Sequence, residues 1–431
     1  MKNLKAVILA AGFGTRMKSE IPKCMHEIMG KSLLQYVIDA ANGAGIFDIA
    51  VVVGHKALMI TKNIQGVSFY TQHEQLGTAH AVMCARDFLD DASQVVVLFG
   101  DTPLITANTL KELTNYHQYS ATVISTTVEN PHGYGRIVRE NNIFKEIVEE
   151  KDATALQKSI KEINTGIFSF KGSDLKFALD RITNNNSQKE YYITDTLSVL
   201  LNNGKEVSVF TSPNAGEFLG INTRVQLSQA TSELKHRINE YHMLNGVTII
   251  DPNNTYIGPD VEILQDTVIG PMVEIYGKTK IGSFVTIKQS SRIEDSIIGD
   301  KTTIGPFAYI RPNSNIGQNV KIGNFVEVKN TTIGNNSKAS HLTYLGDCDV
   351  SENVNFGCGT VIVNYDGTKK HRSRICENAF IGCNSNIISP VTINEGAYVA
   401  AGSTITKNVP KDSLAVARER QTNIENWKKD K

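Results

Sequence analysis

Several things are missing from these 431 residues. No apolar run approaches the length needed to span a bilayer, so no membrane-crossing helix is predicted. Net charge is missing too: Lys+Arg and Asp+Glu both number 44, which argues against nucleic-acid or membrane binding through bulk charge. The six cysteines, at 24, 84, 348, 358, 376 and 383, make no CxxC pair and no framework spacing. That excludes a disulfide scaffold and predicts free thiols in a reducing cytoplasm. The full Gly-x-x-x-x-Gly-Lys-Ser/Thr string is absent, since neither Gly30-Lys31-Ser32 nor Gly277-Lys278-Thr279 has a glycine five positions earlier, so there is no P-loop, and no third glycine completes a dinucleotide fingerprint. The start imitates a secretory leader, with Lys2 and Lys5 before Ala6-Val7-Ile8-Leu9-Ala10-Ala11. The run is short, however, and leads straight into Gly12-Phe13-Gly14-Thr15-Arg16, so a buried first strand is expected.

What is present follows two grammars. The length exceeds one ordinary core and predicts two or three domains, and a hydrophobic content of 41% is that of a soluble globular protein. Residues 1–222 alternate apolar runs with helical patterns. Leu4–Ala11, Ile49–Val53, Val67–Tyr70 and Val95–Phe99 read as buried strands, and Ser32–Ala44 as a helix ended by Gly45. Ala121–Val128, Gly135–Val138 and Ile163–Phe170 add strands, and 173–201 read as largely helical. The fold class expected is α/β, a mostly parallel sheet with helices on both faces. Residues 223–246 read as a linking helix. Thr223 and Gln226 form a capping box, Leu227, Ala230, Leu234, Ile238 and Tyr241 form one stripe, and Asn245-Gly246 a stop.

From Ile257 to Ile405 an aliphatic anchor returns every sixth position, often followed by glycine, as in Ile269-Gly270, Ile281-Gly282 and Ile316-Gly317. Six is the hexapeptide period of a parallel β-helix, in which three sixes close one triangular coil with a small residue at each corner. The solenoid domain is set at 247–431, its repeat ending near 405 and a charged tail leaving it. One interruption, Val363–Arg374, carries polar turn-forming residues that no strand needs, and such loops commonly serve binding.

Two sets of residues carry chemistry. After the first strand, Leu9-Ala10-Ala11-Gly12-Phe13-Gly14-Thr15-Arg16-Met17 and then Pro22-Lys23 offer backbone N–H groups and two cations to a triphosphate. Phe99-Gly100-Asp101 places an acid at a strand's carboxyl end, where ligands bind in open α/β sheets and where a hard cation would find oxygen. Gln72 and Gln75-Leu76-Gly77-Thr78 could meet a base edge. In the solenoid, His341 sits where Ala339-Ser340-His341 breaks the Ile-Gly habit. Arg311 and Lys329, eighteen apart, stack on one face and suit a phosphate, with Tyr344, Asn355, Asn364 and Tyr365 nearby. A histidine beside such a pair can serve as general base.

The string Gly-x-Gly-Thr-Arg-Met…Pro-Lys resembles the sugar-nucleotidyltransferase family. With both halves read, nearly the whole chain resembles the bacterial bifunctional N-acetylglucosamine-1-phosphate uridyltransferase / glucosamine-1-phosphate N-acetyltransferase family. That resemblance implies a Rossmann-like domain, the linker and a left-handed β-helix in a cytoplasmic homotrimer. It implies acetyl transfer from acetyl-CoA to glucosamine-1-phosphate, then Mg2+-dependent uridylyl transfer from UTP to N-acetylglucosamine-1-phosphate. Matched by motif, the nucleotide would meet Leu9, Ala10, Ala11, Gly12, Arg16, Lys23, Gln72, Gly77, Thr78, Phe99, Gly100 and Asp101. Gly135, Glu149, Asn164 and Asn222 would hold the sugar, with magnesium between Asp101 and Asn222. In the other half His341 would be the base, and Arg311, Lys329, Tyr344 and Asn355 would hold the sugar phosphate. Cys358, Asn364, Tyr365, Cys383, Ala401 and Arg418 would line the coenzyme A groove. Phe99 stands where the family commonly has Tyr, and Cys358 and Cys383 where Ala and Ser are usual. Two rival readings remain at this stage: a nucleotidyltransferase whose solenoid only assembles or regulates, and a non-catalytic exchange-factor or scaffold subunit.

Overall fold

The structure, a computed structural model, describes residues 3–425 and 427. Met1, Lys2, Asn426 and residues 428–431 lie outside it, and with them the leader-like Lys2 and the end of the charged tail. The chain divides into two compact units, Met1–Leu234 and Lys235–Lys431.

In the first unit the strand Leu4–Ala10 lies at the centre of a sheet. It is parallel to Asp48–Val53 on one side and to Gln94–Phe99 on the other. Alternate residues feed two cores, Val7, Val95 and Val97 into one and Ala6, Ile8, Val96 and Leu98 into the other. A strand buried on both faces must be apolar throughout, which is why these runs do not alternate. Lys5 does not behave as part of a leader: it is 7% exposed, and its ammonium donates to Phe88 O and Asp91. The sheet runs Val207–Thr211, Ala121–Thr127, Glu162–Lys171, Gln94–Phe99, Leu4–Ala10, Asp48–Val53, Ser68–Thr71, and only Glu162–Lys171 is antiparallel along this path. The loops after Leu4–Ala10 and Gln94–Phe99 depart from adjacent strands whose successors lie on opposite sides. They therefore open a crevice at the strands' carboxyl ends.

One expected helical region is not helical throughout. Within 173–201 the helices are Gly172–Leu179 and Asp195–Asn202, with an irregular segment between them. Its polar run Asn184-Asn185-Asn186-Ser187-Gln188 bonds to its own backbone, Asn186 Oδ1 accepting from Gln188 and Glu190 N–H, which competes with helix formation.

The helix Arg224–Leu244 begins as its capping box predicts, Thr223 Oγ1 accepting from Gln226 N–H and Gln226 Oε1 from Thr223 N–H. Its stripe differs at the end: Tyr241 is 63% exposed, while Asn239 and His242 are buried. Asn239 Nδ2 donates to Pro252 O and Thr255 O. The helix thus contacts the chain entering the solenoid through a polar residue that an apolar stripe does not reveal.

The second unit is three stacks of short parallel strands, the faces of a prism. Anchor stands on anchor: Ile275 on Ile293, Ile293 on Ile310, Ile310 on Val328. They form one continuous buried core from Val247 to Val409. Each buried aliphatic side chain contributes about 1.5–3 kcal/mol. Where the sequence steps by five, as from Ile293 to Ile298, Ile281 still pairs with Ile298. The missing residue is therefore taken from a corner and not from the core. Glycine follows the anchors because the next coil passes too close for a side chain: a Cβ on Gly323 would lie 1.8 Å from Ser340 O. The corners depart from the expectation of small residues alone. A small buried residue is preceded by one in the left-handed region, which can be bulky, as at Met272, Phe284, Phe307, Phe325 and Leu342. All five are exposed. The repeat also outlasts 405. Val409 is buried and bridges Ile393, and Leu414–Ala415 adds a rung on Tyr398–Val399. The step from Ile405 to Val409 is four residues instead of six, which hides this last coil.

Candidate functional sites

At the crevice, a cavity of ≈ 360 Å³ is lined by Leu9, Ala10, Ala11, Gly12, Lys23, Gln72, Gly77, Thr78, Phe99, Gly100, Asp101 and Asn222. These are the residues expected for the nucleotide apart from Arg16, with Asn222 from the sugar and metal sets. Gly12 has open space where a side chain would stand, and Gly14, at φ 63, packs against Lys23. Lys23 donates to Asp101 and, at 3.0 Å, to Asn222 Oδ1. Arg16 Nη2 reaches the same Oδ1 at 2.9 Å. Asn222 is brought there by its neighbour, since Ile221 N–H donates to Asp101 O at 2.9 Å. Asp101 and Asn222 therefore present two oxygen donors to one positive centre, here an ammonium. Among the described residues no group of three or more His, Cys, Asp or Glu could hold a metal. Magnesium would fit this pair if phosphate oxygens and water completed its octahedron.

A second cavity of ≈ 350 Å³ adjoins the first through Thr78, Phe99 and Asp101, and its walls include Gly135, Glu149 and Asn164. Asn164 Oδ1 accepts from Gly166 N–H. Burial pushes the Glu149 carboxyl up, helped by Asp195 and Asp152. The same two causes, burial and Asp152, raise Asp195 to about 6. The irregular segment after Asn184 supplies Gln188, Glu190, Tyr192 and Thr194 to this wall, and Glu190 also lines the first cavity. These residues were missed because the segment was read as helix; the available signal was its run of turn-forming side chains. It is pinned in place at Gly77, with Ala79 N–H donating to Tyr191 O at 2.8 Å and Ile193 N–H to Thr78 Oγ1 at 2.9 Å.

On the solenoid His341 is exposed at the end of the strand Lys338–His341. Its Nδ1 lies 2.6 Å from Asn324 Oδ1, one coil below. An amide oxygen only accepts, so Nδ1 carries the proton and Nε2 is left with a free lone pair. Sequence reasoning did not find Asn324, because asparagines crowd the corners of this solenoid. Asn355 stands on the same face as His341; Arg311, Lys329 and Tyr344 belong to the next face. Arg311 pairs with Glu327 at 2.7 Å. Lys329 is pushed below the ordinary lysine range, first by the adjacent ammonium of Lys370, then by burial and Arg311. Lys370, in the loop between Val361–Val363 and Ser373–Ile375, is a third cation the sequence reading missed. Buried Asn364 donates to Asp347 at 2.5 Å and lies 3.5 Å from Tyr344 Oη, whereas Tyr365 is exposed and bonded to Gly367 O. Cys358, Cys383 and Ala401 continue the row of His341 at the ends of successive strands. Arg418 reaches the same edge, its Cδ 3.8 Å from where a Gly402 Cβ would be.

Comparison with known proteins gives these two sites a family. A nucleotidyl transferase profile matches residues 5–216. A bacterial transferase hexapeptide profile of six repeats matches 295–330 and 372–407. The bifunctional protein GlmU of Clostridioides difficile (strain 630) is 49% identical over 447 residues, covering 99% of this chain and 97% of the relative. Those of Acetivibrio thermocellus and Clostridium perfringens (strain SM101) are 51% and 48% identical, again over 99% of this chain. The chain belongs to the bifunctional GlmU family. Its first half is a nucleotidyltransferase, and its second is a hexapeptide transferase built as a left-handed β-helix. No described helix is long and apolar enough to cross a membrane.

Proposed function

We propose that this chain makes UDP-N-acetylglucosamine in the cytoplasm by two successive transfers at two separate sites. Glucosamine-1-phosphate is acetylated from acetyl-CoA on the solenoid, and the product receives a uridylyl group from UTP in the crevice. The observation that carries the reading is the pairing of Asn324 with His341 on one face of the prism and the cluster of cations on the next. An inert solenoid needs neither.

In the acetyl site, Arg311, Lys329 and Lys370 hold the sugar phosphate, with Tyr344 and Asn355 orienting the sugar. Two ammonium groups kept together, each raising the cost of the other's charge, gain most from a dianion between them. Asn324 fixes the tautomer of His341, whose Nε2 takes a proton from the 2-ammonium. The freed amine attacks the thioester carbonyl and the C–S bond breaks; the proton held by His341 goes to the departing coenzyme A thiolate, and the new amide nitrogen loses its second proton to water. His341 and the cations stand on different faces of one prism, so the full set is assembled between neighbouring copies. The exposed column Met272, Phe307, Phe325 and Leu342, with Phe307 and Phe325 stacked at 5.2 Å, supports burial in a homotrimer.

In the crevice, Gly12 and its neighbours cradle the triphosphate, Gln72 and Gly77 face the base, and Gly135, Glu149 and Asn164 hold the N-acetylated sugar. Asp101 and Asn222 would hold magnesium, which supplies charge neutralisation for the phosphates. Lys23 and Arg16, which face that pair, would supply positive charge to the leaving pyrophosphate. The sugar phosphate attacks the α-phosphorus in line, and the protein contributes positioning and charge.

The test is incubation with glucosamine-1-phosphate, acetyl-CoA, UTP and Mg2+, with products identified by mass. His341→Ala is expected to cost acetyl transfer about 10²–10⁴-fold and to leave uridylyl transfer from N-acetylglucosamine-1-phosphate intact. Asp101→Ala is expected to do the reverse. Equal loss of both activities in either variant would refute separate sites.

A further inference from the structure

Beyond His341 the same outer row runs into two cysteines. Counting on from the paired residues Phe356 and Ile381, Cys358 and Cys383 fall opposite each other on adjacent coils. The backbone agrees: Asn384 N–H donates to Cys358 O at 2.8 Å, and Gly402 N–H to Cys383 O at 2.7 Å. Parallel neighbours lie about 4.8 Å apart, inside the Cα separation of roughly 4.4–6.8 Å that a disulfide spans. Each cysteine is followed by a corner residue in the left-handed region, Gly359 and Asn384. Cys383 is exposed and Cys358 half-buried, so both can be reached from solvent. The remaining thiols are not equivalent. Cys24, Cys348 and Cys376 are buried, and burial pushes Cys24 and Cys348 up to about 12. Cys84 lies in the other unit.

We propose that Cys358 and Cys383 form a redox couple that a hydroperoxide closes, switching acetyl transfer off. The proposal rests on the reading of the His341 row as the acetyl-transfer site. The Cys383 thiolate attacks one peroxide oxygen and the O–O bond breaks, giving a sulfenic acid and, after protonation of the leaving hydroxide, one water. The Cys358 thiolate then attacks Cys383 Sγ, the S–O bond breaks, and hydroxide leaves to become a second water. Two thiols lose two protons and two electrons, the peroxide gains them, and a dithiol reductant reverses the change. The cross-link fixes two coils together one rung from His341, in the strip where the thioester would lie.

The test treats the full chain with hydrogen peroxide, traps free thiols and maps the products by mass. A loss of about 2 Da in a peptide pair joining Cys358 to Cys383, absent from Cys358→Ser and from Cys383→Ser, is expected. Acetyl transfer should fall at least about tenfold and return with dithiothreitol, while uridylyl transfer is unchanged. Each serine variant, compared with its own untreated activity, should resist the treatment, as expected if the bridge needs both sulfurs. A bridge elsewhere, over-oxidation without a bridge, or a bridge with unchanged acetyl transfer would overturn the switch. Absence of acetyl transfer in the reduced protein would instead remove the reading of the row, and the switch with it.

Discussion

Asn324 contributes one oxygen atom, and its effect on His341 is measurable. Asn324→Ala leaves the ring free to rotate and to take either tautomer. The expected result is a fall in acetyl-transfer kcat of about 10–100-fold, by analogy with losses at other orienting partners, with little change in KM for either substrate. Steady-state kinetics across pH would check it, because a purely structural defect would move both parameters and both activities together. His341 was legible in the sequence because it interrupts a strict repeat. Its partner was not, since one more corner asparagine carries no signal until the coils are stacked. Lys370 was hidden for a similar reason: only the folded loop places its ammonium beside Lys329. Asp195 gives a second expectation at this scale. Its folded value of about 6 lies above that of an unfolded aspartate, so its contribution to stability is present at low pH and is lost as pH rises through about 6. Asp195→Asn should therefore raise the melting temperature of the first unit more at pH 7.5 than at pH 5, read by calorimetry. An equal change at both values would remove the buried-carboxylate explanation.

Among the elements, the segment between the helices Gly172–Leu179 and Asp195–Asn202 matters most to the first site, and it was the poorest sequence prediction. The central strands were easy, because burial on both faces demands uninterrupted Val, Ile and Leu. This segment is held by hydrogen bonds to Leu76, Thr78 and Ala79, contacts more than a hundred residues away in sequence, which no local pattern encodes. Gly77 is the point of closest approach. At φ 110, a Cβ there would sit 2.5 Å from Tyr191 O. Gly77→Ala should push the segment off its seat and lower uridylyl-transfer kcat/KM by about tenfold or more. Acetyl transfer, measured on the same preparation, should hold its rate. The last coil of the solenoid failed in the opposite way: it is regular in space, but the step of four residues from Ile405 to Val409 breaks the six-residue count.

At the scale of the molecule, the repeat made half of the fold legible from six-residue arithmetic alone, and the handedness and the family followed from resemblance. The left-handed corners carrying Phe307 and Phe325 were not foreseen, although the proposed trimer would bury them. Replacing both by Glu should shift the protein from trimer to smaller species in sedimentation and abolish acetyl transfer, leaving uridylyl transfer largely intact. A trimer that persists with full activity would exclude this column from the interface. Core substitutions should behave differently. Ile322→Ala, buried between Ile304 and Ala339, is expected to cost about 2–5 kcal/mol in urea unfolding, without altering the oligomer below the transition.

The excursion between Val363 and Ser373 leaves the prism and returns with Ile375 seated on Val350, as though nothing had been inserted. The inner stack is therefore indifferent to what happens at that edge. A lineage, or an engineer, could lengthen, shorten or exchange this fringe and retune which acyl donors or sugars are accepted, while the scaffold beneath keeps its register.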